Sequence, residues 1–165
     1  MVSGQTKNWE SALASLLGEL SSVQQELLDV LVQKREHMAE NNLEGISGLH
    51  DRESQVCERL QSCHDQRSTL LQEAKDSGLP SDSLQNLASA VTPGEGGELS
   101  RQIGDASSKM RLIQHQSLTN WVLAQRSLLH VSQMLEIVAT GGRLEPTYGS
   151  QDPSNARGAL VDREV

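Results

Sequence analysis

Aromatic residues are scarce in this chain, which has two Trp, one Tyr and no Phe among 165 residues. Sandwiches and barrels of β-sheet fill their pleated faces with aromatic and β-branched side chains, so this composition argues against an all-β fold. The chain is instead crowded with Leu, Gln, Ser, Glu and Ala, several of which are strong helix formers. The composition therefore predicts an all-α protein.

Long apolar runs and an excess of positive charge are lacking as well. No run reaches the roughly eighteen apolar residues of a transmembrane helix, so we expect no membrane insertion. The formal net charge is −8, which argues against nucleic acid as the main ligand because nucleic acid attracts basic surfaces. The segment Met1–Leu20 is amphipathic and unlike the apolar region of a signal peptide. These features predict a cytoplasmic protein.

Residues that commonly carry chemistry are few and scattered. Cys57 and Cys63 would lie about 240° apart around a helix, so we expect reduced, buried or half-buried thiols and neither a disulfide nor a shared metal site. The five histidines show no metal-ligand spacing, and the glycines of residues 94–97 do not form a phosphate-binding loop. The closely spaced Asp and Glu residues of the first two long helices are typical of a solvated acidic helix face. We therefore expect no enzyme activity, no cofactor and no metal.

Apolar periodicity predicts the helices. In the first of them, apolar residues step by three and four positions, which is the a and d spacing of a coiled-coil seam; they are Trp9, Leu13, Leu16, Leu20, Val23, Leu27 and Val30. The pattern predicts helices over about 8–39, 43–75, 81–90 and 98–139, with Gly and Pro between the later ones. We predict an elongated antiparallel bundle or coiled coil of three long helices plus one short helix, within a single domain, 1–139. A flexible C-terminal tail, 140–165, follows because it has no periodicity.

Charge is distributed unevenly over these helices. The first two long helices carry net charges of −4 and −3, whereas the third carries +1. Within the third, the 24 residues Leu112–Leu135 include a single formally charged residue, Arg126. Protein interfaces are depleted in charged residues at their centres, and amides lose water more cheaply than ions. The third helix therefore carries the candidate interaction surface.

The third helix has two apolar faces. One follows the bundle seam and comprises Ile113, Ala124, Val131, Leu135 and Val138. The other, offset by about 100° on a helix, comprises Leu118, Trp121, Val122 and Leu129. A helix with two apolar faces needs two partners. Either the first two helices cover both faces, or the second face receives an amphipathic helix of another protein with Trp121 as an anchor.

Two motifs in this region carry a family resemblance. The run Asn120-Trp121-Val122-Leu123 is followed by a polar helix and then by Glu145-Pro146-Thr147-Tyr148-Gly149. This arrangement resembles the C-terminal third of the FlgN family, which are flagellar type III export chaperones. The resemblance implies a cytosolic chaperone that binds the C-terminal helices of flagellar hook-associated proteins, the proteins of the hook–filament junction. It also implies that the chaperone prevents their premature assembly and delivers them to the export gate.

The resemblance also implies roles for particular residues. The residues matching the family's cargo-binding end of the helix are Leu118, Trp121, Val122, Gln125, Leu128, Leu129 and Ser132. Tyr148 matches the tail tyrosine with which the family contacts the export gate. Two alternatives stay open at this point: a structural coiled-coil protein that homodimerises through the third helix, and a helical regulatory subunit that binds an unrelated protein.

Overall fold

The protein is all-α, as the sequence predicts. The computed structural model describes residues 3–92 and 97–141, with side chains from residue 9 onward. Its helices are α1 (Ser3–Ala39), α2 (Leu43–Gly48), α3 (His50–Asp76), α4 (Leu84–Val91) and α5 (Gly97–Thr140). No strand occurs in these ranges. The chain divides into two compact units, residues 1–126 and 127–165.

The core of the first unit is built on the apolar stripe of α1. The seam side chains of Leu13, Val23 and Val30 are fully buried. Further core residues come from the other helices: Val56, Cys63 and Ala74 of α3, Leu84, Leu87, Ala88 and Val91 of α4, and Leu99 and Ile113 of α5. The spacing of three and four thus becomes a packed helical bundle because it places these side chains on one side of each helix.

The predicted helix over 43–75 is two helices, and the break falls at Leu49. The amide of Leu49 donates to the Ile46 carbonyl at 3.2 Å. This bond spans three residues and so closes a tighter turn than the α-helical bond, which spans four. At the start of α2, the side chain of Asn42 accepts from the amide of Gly45 at 2.9 Å. A Cβ atom at Gly45 would lie 2.5 Å from Nδ1 of His37. Gly45 is therefore a position of close approach to α1 and not merely a poor helix former.

Helix α3 ends at Asp76, two residues before Gly78, in agreement with the prediction that glycine and proline terminate it. Gly78 has a φ of +74°, which glycine adopts without steric cost. The amide of Leu79 donates to the Ala74 carbonyl at 2.8 Å, and that of Gly78 donates to the Lys75 carbonyl at 3.0 Å. These two bonds form a Schellman motif, which satisfies carbonyls that the helix leaves free. The turn at Gly78 directs the chain into the segment before α4.

Polar bonds join α5 to α1 within the first unit. The side chain of Gln24 donates from Nε2 to the Ala106 carbonyl at 3.0 Å, and Asn120 donates from Nδ2 to the Leu31 carbonyl at 2.8 Å. Both side chains are buried. Such directional bonds fix which turns of two helices face each other, whereas aliphatic contacts tolerate sliding. They set the register of α5 on α1.

The second unit is described over residues 127–141, which continue α5 to its end, and every one of them is exposed. The seam expectation was wrong for Val131, Leu135 and Val138, which are 51%, 64% and 78% exposed. Ala124, in the first unit, is exposed as well. The periodicity predicts an apolar stripe correctly, but a stripe does not specify whether the same chain supplies its partner.

Candidate functional site

The predicted cargo-binding residues in the first unit lie on the outside of α5. Leu118 and Trp121 are each 60% exposed, and Val122 is 36% exposed. Gln125 is exposed as well. The neighbouring Asn120 is only 4% exposed, so the core-facing side of this turn is distinct from the side that carries Trp121. The first two long helices therefore do not cover the second apolar face here.

The predicted cargo-binding residues in the second unit are exposed too. Leu128 is 62% exposed and Leu129 is 60% exposed. The hydroxyl of Ser132 donates to the Leu128 carbonyl at 2.9 Å, so its proton is used within its own helix. These three residues therefore present a mainly aliphatic surface to a partner, and the Ser132 hydroxyl needs no partner for its proton.

Further exposed apolar residues were not among the predicted site residues. They are Val131, Met134, Leu135, Ile137 and Val138, each at least 50% exposed. The sequence signal that could have identified these residues is the heptad spacing, which continues through residues 127–140, where the one formal charge is Glu136. That spacing predicts packing of α5 on a neighbouring helix, but periodicity alone does not distinguish packing within a chain from packing between chains.

Exposed apolar surface of this extent is unusual for a protein that works alone. Large contiguous apolar patches on soluble proteins mark interaction sites or binding grooves. Burying one Leu or Val side chain fully contributes about 1.5–3 kcal/mol. The exposed leucines and valines of α5 are therefore a candidate surface for association with another protein.

Tyr148, the predicted export-gate contact, lies outside the described residues. So does the predicted tail, apart from its first two residues, Thr140 and Gly141. The gate contact stays a prediction that depends on the sequence.

The two cysteines are free. Cys63 is buried, as expected, whereas Cys57 is exposed, so the expectation of a buried or half-buried thiol was wrong there. Desolvation is the main cause that raises the pKa of the Cys57 thiol, and the Glu53 carboxylate raises it further. Burial likewise raises the pKa of the Cys63 thiol, with a smaller contribution from Glu19. A raised thiol pKa disfavours the nucleophilic thiolate at neutral pH, so neither cysteine has the electrostatic surroundings of a reactive thiol.

A cavity of about 300 Å³ lies among α1, α3, α4 and α5 in the first unit. Its walls are mainly core side chains, including Leu20, Cys63, Leu84 and Ile103. Across residues 3–92 and 97–141, no group of three or more His, Cys, Asp or Glu side chains is placed to hold a metal ion. The exposed apolar side chains of α5, described above for each unit, are the candidate functional site.

Comparison with known proteins identifies the family to which the chain belongs. In the described part of the chain, no helix combines the length and apolarity of a membrane span. No match was found among curated proteins or solved structures. The family model described as "FlgN protein" matches residues 1–152. With most of its length matched, the chain belongs to the FlgN family of flagellar export chaperones, whose members bind flagellar hook-associated proteins.

Proposed function

We propose that this protein is a cytoplasmic export chaperone that binds the C-terminal helices of hook-associated proteins. Binding keeps these proteins from assembling prematurely, and the chaperone then delivers them to the flagellar export gate. The observation that carries the proposal is the exposure of large apolar side chains along α5, with Trp121 at 60%. The contact residues in the first unit are Leu118, Trp121, Val122 and Gln125. Those in the second unit are Leu128, Leu129 and Ser132.

The chemistry of this face suits an amphipathic helix. Such a helix offers an apolar stripe that would otherwise associate with further copies of the cargo. Docking on uncharged aliphatic side chains hides that stripe without the cost of removing water from ions. Affinity on the order of micromolar corresponds to about 8 kcal/mol, which is strong enough for protection and weak enough for release. No chemical step is required of the chaperone.

Trp121→Asp is expected to weaken binding to a cargo fragment containing the C-terminal helices by about thirtyfold, the effect of losing an aromatic anchor at an interface. The measurement is isothermal titration calorimetry with the full chain. Leu112, 54% exposed and on the opposite side of α5 because nine residues turn a helix by about 180° from Trp121, provides the control: Leu112→Ala should leave the affinity unchanged. Because Trp121 is exposed, thermal unfolding of the variant should match that of the wild type. Wild-type affinity in Trp121→Asp, or an unfolded variant, would contradict the proposed site.

Tyr148→Ala is expected to abolish binding to the export gate while cargo affinity stays at the wild-type value. The reason is that gate and cargo contact different parts of the chain, so a change in one contact leaves the other intact. Pull-down by the purified gate component, paired with the calorimetric cargo titration, measures both. Tyr148→Phe, which keeps the ring, tests whether the hydroxyl is needed. Equal loss of gate and cargo binding in Tyr148→Ala would contradict this division of roles.

A further inference from the structure

The cavity among α1, α3, α4 and α5 of the first unit is large for a small helical bundle. Protein interiors are close-packed and contain few voids larger than a water molecule, whereas this cavity measures about 300 Å³. Small side chains leave the space unfilled, since Cys63 of α3 and Ala106 and Ser107 of α5 all line it. Its volume lies at the lower end of the range of small-molecule sites, about 300–1,000 Å³. The cavity is therefore large enough for a small organic ligand.

The inner part of the cavity is apolar. The buried side chains that line it include Leu16 and Leu17 of α1 and Leu84 of α4. Ile103 and Met110 of α5, which are half-buried, line it as well. An apolar cavity takes up apolar molecules in preference to water, because water needs hydrogen-bonding partners that such walls do not supply. The inner walls therefore favour a hydrocarbon group.

The opening of the cavity is positively charged. Arg67 and His64 of α3 line the cavity and are exposed, so they mark the side on which it meets solvent. In the part of the chain that the structure describes, Arg67 forms no ion pair and no Asp or Glu lines the cavity. The net charge of the chain is −8, so a guanidinium without a neighbouring carboxylate in the cavity wall is a local exception. The opening therefore favours an anionic group.

A hydrogen bond holds two walls of the cavity together in the absence of a ligand. Gln24 of α1 and Ala106 of α5 both line the cavity, and Nε2 of Gln24 donates to the Ala106 carbonyl at 3.0 Å. The bond fixes the position of one helix on the other at this wall. Because the walls are already in place, a ligand binds without the cost of ordering them.

We propose that this cavity binds a free fatty acid, with its acyl chain among the buried leucines and its carboxylate at Arg67. An acyl chain has no polar group that would lose its hydrogen bonds on burial. A carboxylate matches the planar fork of a guanidinium, and a ring N–H of His64 is a further donor at the opening. None of the residues proposed to bind cargo lines the cavity, so the inference goes beyond the proposed function and does not depend on it.

The test is calorimetric titration of decanoate into the full chain, with decylammonium as a straight-chain ligand of opposite charge. We expect decanoate to bind more tightly, although the net charge of −8 favours the cation at long range. Arg67→Gln should weaken decanoate binding by about threefold to fivefold, the effect of losing one partly exposed ion pair, and should not weaken decylammonium binding. Arg67 is exposed, so the fold is kept, which circular dichroism checks.

Arg126→Gln is the matched control, because it removes the same charge from a different place. Arg126 follows Met110 by 16 residues on α5, which is about 24 Å along the helix, and it does not line the cavity. Decanoate affinity should be unchanged in this variant. A loss of affinity in Arg126→Gln but not in Arg67→Gln would show that decanoate binds the exposed apolar side chains of α5, and would overturn the inference.

Alkylation of the two cysteines by iodoacetamide, followed by mass spectrometry, locates the bound decanoate. Cys63 lines the cavity, whereas Cys57 is exposed and serves as the internal reference. At a decanoate concentration about ten times the Kd, alkylation of Cys63 should slow about tenfold, with the rate at Cys57 unchanged. An unaltered rate at Cys63, tighter binding of decylammonium, or no binding of decanoate would each overturn the inference. Cargo binding is measured separately and is unaffected by any of these outcomes.

Discussion

Leu13→Ala is expected to lower the free energy of unfolding by about 3 kcal/mol. Leu13 lies on α1 at 0% exposure and belongs to the core cluster that joins four helices of the first unit. Removing its isobutyl group eliminates buried apolar area and leaves a cavity that the close-packed neighbours fill only in part. The loss is large because α1 carries the continuous stripe against which the other helices of this unit pack.

Urea titration followed by circular dichroism measures this loss for Leu13→Ala. The matched control is Leu112→Ala on α5, where the leucine is 54% exposed. This substitution should change the free energy of unfolding by no more than about 0.5 kcal/mol. An equal loss at both positions would contradict the burial of Leu13. Cargo binding should be preserved in the Leu13→Ala protein at temperatures where it is still folded, because its effect is on stability and not on the exposed face.

Gln24→Glu is expected to lower the free energy of unfolding by about 3–5 kcal/mol at neutral pH. Gln24 is 1% exposed, and its Nε2 donates to the Ala106 carbonyl. Its Oε1 is buried without a hydrogen-bond partner among the described residues. A carboxylate at this position loses the donor and brings a negative charge next to a carbonyl oxygen. Burial without a donor raises the pKa of the introduced carboxyl group above its unfolded value of about 4.3.

The sign of the pH dependence follows from that raised pKa. Folded protein holds the proton more tightly than unfolded protein, so the destabilisation grows as pH rises from about 4 through the folded-state pKa and disappears in acid. The measurement is the difference in unfolding free energy between Gln24→Glu and wild type at several pH values. Gln24→Met, similar in volume and uncharged, should cost less than about 1.5 kcal/mol with no such pH dependence. A pH-independent loss in Gln24→Glu would contradict the burial of this side chain.

The polar contacts between α1 and α5 show what periodicity could not predict. Asn120 follows Ile113 by seven residues and so lies on the same side of α5, and the structure shows it buried and bonded to the Leu31 carbonyl. The sequence did not predict the burial of Gln24, because a glutamine beside an apolar seam usually extends its side chain into solvent. Whether such an amide is buried depends on a carbonyl supplied by a helix some eighty residues away in sequence, as at Ala106, where the separation is 82.

The short helix α2, which precedes the break at Leu49, shows the same dependence on tertiary contacts. Gly45 and Gly48 lower helix propensity, which weakens the first turns of the predicted helix without specifying where it ends. The close approach of His37 to Gly45 and the cap by Asn42 involve the connection from α1. Local propensity therefore indicated a weak region, and contacts with the preceding helix fix the start of α2.

Composition and the spacing of apolar residues were enough to specify an all-α bundle, the buried stripe of α1 and the uncharged surface of α5, since these depend on the local geometry of a helix. The motifs around Trp121 and Tyr148 were enough to indicate the family. Packing decided that Asn120 is buried while Trp121 is exposed, and that Val131, Leu135 and Val138 have no cover within the described chain. The physical reason is that periodicity specifies which side of a helix must be buried, whereas the three-dimensional arrangement determines which stretches of that side meet a partner in the same molecule.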